Sequence, residues 1–183
     1  MLEGPYRAGP WPGLTPSGAA VLLSCAAFLA VGQIMIGPPR QPLPDLPVVG
    51  GTALLPLAIA ARIVRMPGVA TATCGAYLMP RAVISLLQSS LDQPPLLLVP
   101  AVGFDLGLWI LSSRVPRLRP GPRSALAGAV FGLLLGLLEP AFRVFLGADP
   151  AIWNGPVVWV AALITMLVCA GVGTVATARG TAS

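Results

Sequence analysis

The sequence predicts an all-α fold: a polytopic integral membrane protein whose six transmembrane helices form a bundle with both termini in the cytoplasm. Only 9% of its 183 residues are charged and 56% are hydrophobic, whereas soluble domains carry about 25% charged residues. The hydrophobic residues collect in six segments, each long enough to cross a hydrocarbon core of about 30 Å as a helix. These segments lack the alternating pattern of barrel strands, so helices are the spanning structure that they predict.

The segments follow one another with short connections that are rich in proline. Residues 1–17 contain many Pro and Gly residues and predict an irregular N-terminal tail. A single membrane domain, residues 18–179, then contains the predicted spans, at about 18–36, 48–64, 68–91, 96–112, 124–146 and 157–178. Loops are expected at 37–47, 92–95, 114–123 and 147–156.

The arginine residues predict the orientation. With six spans, the termini share one side of the membrane with the basic connections at 62–65 and 114–123. That side collects eight of the eleven basic residues, and the other side holds Asp45, Asp92 and Asp149. Because Arg residues are enriched in cytoplasmic loops, we expect both termini to lie in the cytoplasm. The protein is expected to be a multi-pass protein of the cell membrane, specifically of a bacterial inner membrane. A cleaved signal peptide is the alternative for the first segment, since Arg7 and the small residues at 30–32 resemble its charged start and cleavage site.

Several kinds of chemistry need residues that the sequence lacks. It has no His, which excludes haem ligation by His, most zinc and copper sites and Ser-His-Asp catalysis. No catalytic residue, metal ion or cofactor is therefore predicted. Cys25, Cys74 and Cys169 each lie in an apolar segment and are expected to be inert. The expected partner is the lipid bilayer and not nucleic acid, because the Arg residues flank apolar spans and form no soluble basic domain.

Asp105 and Arg81 are the charged residues that the sequence places deepest. Each lies about ten residues from the outer end of its span, which puts both about 15 Å deep. Their spans are antiparallel and joined by a short turn, so the side chains are expected to meet. A lone charge at a helix centre costs at least about 2.5–3.5 kcal/mol, which favours pairing. Three interpretations stay open: an ion pair that joins two helices, the polar floor of a ligand pocket, and a helix register different from the one assumed here.

A polar stripe follows one face of the third span. Tyr77, Arg81 and Gln88 share that face, together with Ser85. A polar stripe inside a membrane faces other protein or water and not lipid. The stripe is therefore expected to face the inside of the bundle. Gln33, near the outer end of the first span, joins the polar residues of the outer half.

The fifth span predicts a packing face followed by an ion pair. Gly128, Gly132 and Gly136 recur at every fourth residue, the pattern of small residues that lets helix backbones approach closely. Glu139 and Arg143 come next, with the i, i+4 spacing that favours an ion pair on a helix.

Together, the polar residues predict a cavity in the outer half of the bundle. The expected ligand-binding residues are Asp105, Arg81, Glu139, Arg143, Tyr77, Gln88 and Gln33. Two acids and two Arg residues balance, so such a cavity suits a zwitterion or a small neutral polar molecule.

This layout resembles the S component, the substrate-binding membrane subunit of energy-coupling-factor vitamin transporters. The resemblance covers the whole chain: six spans in 183 residues, termini inside, and a cavity in the outer half. In that family a small-residue motif on the first helix docks the energising module, and Ala26 with Ala30, or Ala20 with Ser24, has the matching spacing here. The resemblance implies a small-molecule binding or transport component whose partner is an ATPase-coupled module.

Two other functions stay open. The short loops, the glycine-rich fifth span and the absence of a soluble domain also suit a non-catalytic structural or accessory subunit of a larger membrane complex. A membrane enzyme is the third possibility, because an Asp, Arg and Glu site can transfer protons.

Overall fold

A computed structural model of the chain describes residues 15–36, 42–87, 97–145 and 147–178, which form helices and no strand. Each predicted span falls on one α-helix. In chain order these helices are α1 (Pro16–Ile36), α2 (Pro42–Val64), α3 (Val69–Leu87), α4 (Leu98–Arg114), α5 (Pro120–Phe145) and α6 (Pro156–Ala178), with a short 3-10 helix (Pro150–Asn154) between the last two. The predicted all-α class is confirmed.

Three of these helices are long and apolar enough to cross a membrane, namely α2, α5 and α6. The outer surface of α6 is apolar along its length, and Val157, Leu163 and Leu167 are each more than half exposed on it. Large exposed apolar surfaces on a protein mark contact with a membrane or a partner. The described helices therefore present the surface of a membrane-associated protein.

The helix bounds correct two predicted loops. Residues 42–47 and 120–123 were expected in loops, but α2 begins at Pro42 and α5 begins at Pro120. The first N–H groups of a helix have no partner inside it, so a Pro at the first position removes no hydrogen bond and brings a φ suited to the helix. Proline-rich connections therefore continue into the helices that follow them.

The predicted loop at 147–156 also contains a helical turn. Asp149 precedes the 3-10 helix, and its carboxylate accepts a hydrogen bond of 2.8 Å from the backbone N–H of Ala151. Pro150 occupies the first helical position. A capping Asp followed by Pro is a helix-start signal, which the prediction of a loop overlooked.

The core forms around α2, which contacts each of the other five α-helices. Leu54 and Leu57 of α2 are fully buried, and Phe104 of α4 and Phe131 of α5 are at most 1% exposed. The polar groups described below lie around this apolar centre.

The most extensive helix contact joins α5 to α6, and it runs along the predicted glycine face. A Cβ atom added to Gly132 would lie 2.6 Å from the carbonyl oxygen of Thr165, and one on Gly136 would lie 2.7 Å from Cα of Ala162. At these glycines the two backbones are therefore closer than a residue with a Cβ atom would allow. This confirms the packing prediction. The contacts pair Ser124 with Gly173, Gly128 with Cys169, Gly132 with Thr165, and Gly136 with Ala162.

Candidate functional site

Asp105 of α4 caps the start of α3. Its Oδ1 accepts a hydrogen bond from the N–H of Ala70 at 3.3 Å, and its Oδ2 accepts one from the N–H of Thr71 at 2.8 Å. The hydroxyl of Thr71 donates a third, at 2.7 Å to Oδ2. The carboxylate thus satisfies N–H groups that have no partner within the helix, and it lies at the positive end of the α3 dipole.

The local sequence explains why this cap comes from another helix. The N-cap position of α3 is Gly68, whose carbonyl accepts the N–H of Ala72 at 2.8 Å. The φ of Gly68 is +84°, a backbone conformation that favours glycine. Gly68 has no side chain with which to cap α3, so Asp105 performs the task that an N-cap Ser or Asp usually performs.

The structure does not bring Asp105 to the level of Arg81. The side chain of Arg81 lies outside the described residues, but the backbone of α3 is described there. Position 81 is ten residues beyond Thr71, which is about 15 Å along the helix axis. The predicted pairing assumed that α3 and α4 align at their ends, whereas the middle of α4 lies beside the start of α3. The expected Asp105–Arg81 ion pair is replaced by a helix cap.

Of the predicted polar stripe on α3, the structure describes the first part. Tyr77 is 8% exposed and belongs to the buried core, as do Thr73 and Cys74 on the same face, both fully buried. The hydroxyl of Thr73 donates to the carbonyl of Val69 at 2.8 Å. This part of the stripe therefore faces protein, as predicted. The side chains of residues 81 and 85, together with Gln88 and the side chain of Gln33, lie outside the described residues.

Glu139 and Arg143 form the predicted ion pair on α5. The Nε–H of Arg143 donates to Oε1 of Glu139 at 2.8 Å. The Glu139 side chain is 14% exposed, whereas that of Arg143 is 35% exposed. The other carboxylate oxygen of Glu139, Oε2, is buried and has no hydrogen-bond partner within the described residues. The pair thus runs from a buried acceptor to a guanidinium that reaches the surface.

The end of α5 holds Arg143 in a defined backbone conformation. The N–H of Ala148 donates to the carbonyl of Arg143 at 2.9 Å, and the N–H of Gly147 donates to that of Val144 at 3.0 Å. Gly147 has a φ of +98°, so these bonds form the glycine-terminated C-cap known as a Schellman motif. A cation in the last turn also interacts favourably with the helix dipole.

Two tryptophans lie at the same end of α5 and α6. The ring centroids of Trp153 and Trp159 are 5.9 Å apart, and the indole N–H of Trp159 donates to the carbonyl of Trp153 at 3.1 Å. Neither tryptophan is among the residues predicted from the sequence. Their positions beside a predicted span were a usable signal, since Trp residues are enriched where a span meets the membrane surface.

Glu139 and Asp105 belong to separate places in the bundle. A Cβ atom on Gly107 would lie 3.4 Å from Cα of Ala127, so antiparallel α4 and α5 bring position 105 level with position 129. Glu139 is ten residues further along α5, about 15 Å away along the axis. The single cavity expected from the sequence is therefore not assembled by these two acids. The Glu139–Arg143 pair is the candidate site that remains.

The pair offers a ligand one negative and one positive charge, together with a hydrogen-bond acceptor and hydrogen-bond donors. Oε2 of Glu139 accepts hydrogen bonds, and the two Nη groups of Arg143 donate them. No described residue hydrogen-bonds to those Nη groups. Within the described residues, no group of three or more His, Cys, Asp or Glu residues is placed to hold a metal ion. The arrangement is suited to binding, with one acceptor and one fork-shaped donor side by side.

Comparison with known protein families, curated proteins and solved structures finds no match to this chain.

Proposed function

We propose that the chain is a small-molecule binding or transport component of the cell membrane, with a site for a zwitterion at Glu139 and Arg143. Oε2 of Glu139 accepts an N–H of the ligand's ammonium group, and the Nη groups of Arg143 bind its carboxylate. The observation that carries the proposal is the buried, unpartnered Oε2. Burying a polar atom without a hydrogen bond costs free energy, so native structures rarely keep one without a reason.

The position of the pair supports a functional role. Both residues lie on a helix that is long and apolar enough to cross a membrane, and ionisable residues in such helices usually mark a ligand or ion pathway. Arg143 is partly exposed and Glu139 is mostly buried. A ligand entering past the guanidinium therefore meets the carboxylate at the inner end of the site.

We further propose that six helices span the membrane, with both termini in the cytoplasm. α1 and α3 have 21 and 19 residues, and helices of about 20 residues cross a hydrocarbon core. α4 has 17 residues, which is at the lower end of the spanning range. The exposed Arg residues between α4 and α5 favour the cytoplasmic side for that connection. The Glu139–Arg143 site then opens near the outer surface.

The test uses the full chain purified in mild detergent. Thermal unfolding is followed with L-alanine, with glycine betaine and with propionate as probes, and then with the other common amino acids. Ligand at 100 times its Kd stabilises a protein by about 2.7 kcal/mol. We expect at least one amino acid to raise the Tm, while betaine, which has no N–H, and propionate, which has no ammonium, leave it unchanged.

Two variants assign the effect to the pair. Glu139→Gln should abolish the stabilisation, since it removes the charge and places an NH2 beside the ligand's ammonium. Asp149→Asn is the matched control, because it removes the same charge at the same end of α5 but is not part of the pair. Equal loss in both variants, or no stabilisation by any amino acid, would overturn the zwitterion site. A second membrane subunit that co-purifies in fixed stoichiometry would instead favour the accessory-subunit interpretation.

A further inference from the structure

The connection between α4 and α5 presents a cluster of positive charge. Arg114, Arg117 and Arg119 are all exposed, and no ion pair joins them to a described residue. The sequence contains no acidic residue between Asp105 and Glu139. The positive charge of this cluster is therefore not neutralised within the described part of the chain.

A fourth arginine holds the connection in shape. The Nη2 group of Arg123 donates to the carbonyls of Pro116, at 3.3 Å, and Leu118, at 2.9 Å. The N–H of Leu118 also donates to the carbonyl of Val115 at 3.0 Å. Arg123 thus braces the turn through Nη2, while its buried Nε has no hydrogen-bond partner within the described residues. The three exposed arginines therefore extend from a backbone that these hydrogen bonds hold in a turn.

The start of α5 adds a favourable potential but few donors. Helix N-termini attract anions through the dipole and through free N–H groups. Here Pro120 and Pro122 have no N–H, so the first three positions of α5 offer only that of Gly121. Hydrogen bonds to an anion must therefore come mainly from the arginine side chains, whose planar guanidinium groups match the oxygens of a phosphate.

The surface next to the cluster is apolar. Trp109 and Ile110 of α4 are 47% and 48% exposed, and Leu126 of α5 is 50% exposed. Ile110 precedes Arg114 by four residues, so the two share one face of α4 and lie about 6 Å apart along the helix axis. An apolar helix surface that ends at several exposed arginines matches a molecule with acyl chains and an anionic phosphate head.

We propose that Arg114, Arg117 and Arg119 bind the phosphate of anionic phospholipid headgroups at the membrane surface. A free phosphate ion matches the charge but not the adjoining apolar surface, which selects the lipid over the ion. Polybasic segments beside membrane helices bind anionic lipids in this way. Each Arg near the membrane surface strengthens the binding to anionic lipid by about fivefold.

The test places a reporter beside the cluster. The chain has four Trp residues, and replacing Trp11, Trp153 and Trp159 with Phe leaves Trp109 as the only one. This full-length variant is reconstituted in phosphatidylcholine vesicles with a minor fraction of brominated phosphatidylglycerol, whose chains quench Trp fluorescence. We expect stronger quenching than with the same fraction of brominated phosphatidylcholine. Native mass spectrometry of the protein with its four Trp residues intact, loaded with phosphatidylglycerol, provides a second measurement.

Charge variants and a free anion complete the test. R114Q/R117Q/R119Q should lower the preference for phosphatidylglycerol by about a hundredfold, the product of three fivefold effects, whereas R114K/R117K/R119K should keep most of it because the charge remains. Inorganic phosphate at constant ionic strength should not displace the lipid. Three results would each overturn the proposal: equal quenching by the two brominated lipids, a loss of lipid preference in the Lys variant equal to that in the Gln variant, or displacement of the lipid by phosphate.

Discussion

Removing the carboxylate of Asp105 should detach the start of α3 from α4. The residue is 6% exposed and accepts three hydrogen bonds, two of them from backbone N–H groups. Hydrogen bonds to a charged group contribute about 1.5–3 kcal/mol each, and a buried donor left without a partner costs about 1–3 kcal/mol. Losing an N-cap side chain typically costs about 1 kcal/mol. Since these terms overlap, we expect Asp105→Ala to lower the free energy of unfolding by about 3–5 kcal/mol.

Asp105→Asn is the milder change. It keeps one oxygen as an acceptor but turns an NH2 group towards a backbone donor and loses the charge at the helix dipole, so about 1–3 kcal/mol is expected. Reversible unfolding in mixed detergent micelles, followed by circular dichroism, measures both variants. Thr71→Val removes only the hydroxyl donor and should cost about 1 kcal/mol.

Double-mutant cycles separate the cap from the ion pair that the sequence suggested. Thr71→Val and Asp105→Asn touch the same contact and should be coupled, whereas Arg81→Gln and Asp105→Asn should be additive within about 0.5 kcal/mol, as distant sites are. If Arg81 and Asp105 are coupled by more than about 1 kcal/mol and Thr71 is not, the cap is the wrong description of this contact.

The remaining predictions concern packing and topology. Gly132→Ala should lower the free energy of unfolding by about 1–3 kcal/mol, because its Cβ atom would meet the backbone of α6. Gly171→Ala is the control, since a Cβ atom there has no heavy atom within 4 Å, and it should be neutral or stabilising by up to about 1 kcal/mol. An equal loss in both variants would mean that the α5–α6 contact does not cause the loss at Gly132. In a Cys25→Ser background, a cysteine at Ser113 should be labelled by a membrane-impermeant reagent only after permeabilisation, and one at Ala151 without it. Labelling of position 113 in intact cells would reject cytoplasmic termini.

Local patterns in the sequence predicted the contacts that depend on one helix or on a simple repeat. The Glu139–Arg143 pair follows from i, i+4 spacing alone, and the glycine face needs only a neighbour that is also lined with small residues. Helix starts were predicted less well, because Pro42 and Pro120 were assigned to loops although the first turn of a helix accepts proline.

The partner of Asp105 could not be predicted in the same way. It depends on how far α4 is displaced along α3, and apolar segments contain no signal for such a shift. One clue was available: Gly68 directly before α3 cannot cap a helix with its side chain. A helix start without its own cap, together with one buried carboxylate elsewhere, would have suggested the contact that the structure shows.

The glycine face between α5 and α6 also fixes which parts of the two helices can pair. Sliding α6 by one residue moves it about 1.5 Å and turns its contact face by about 100°, which brings larger side chains against the glycines. A slide of four residues restores the face but sets Val158 against Gly136. The close fit of the two helix faces thus specifies the pairing. We therefore expect a chain that is cut between α5 and α6 to reassemble from its two fragments in the same register.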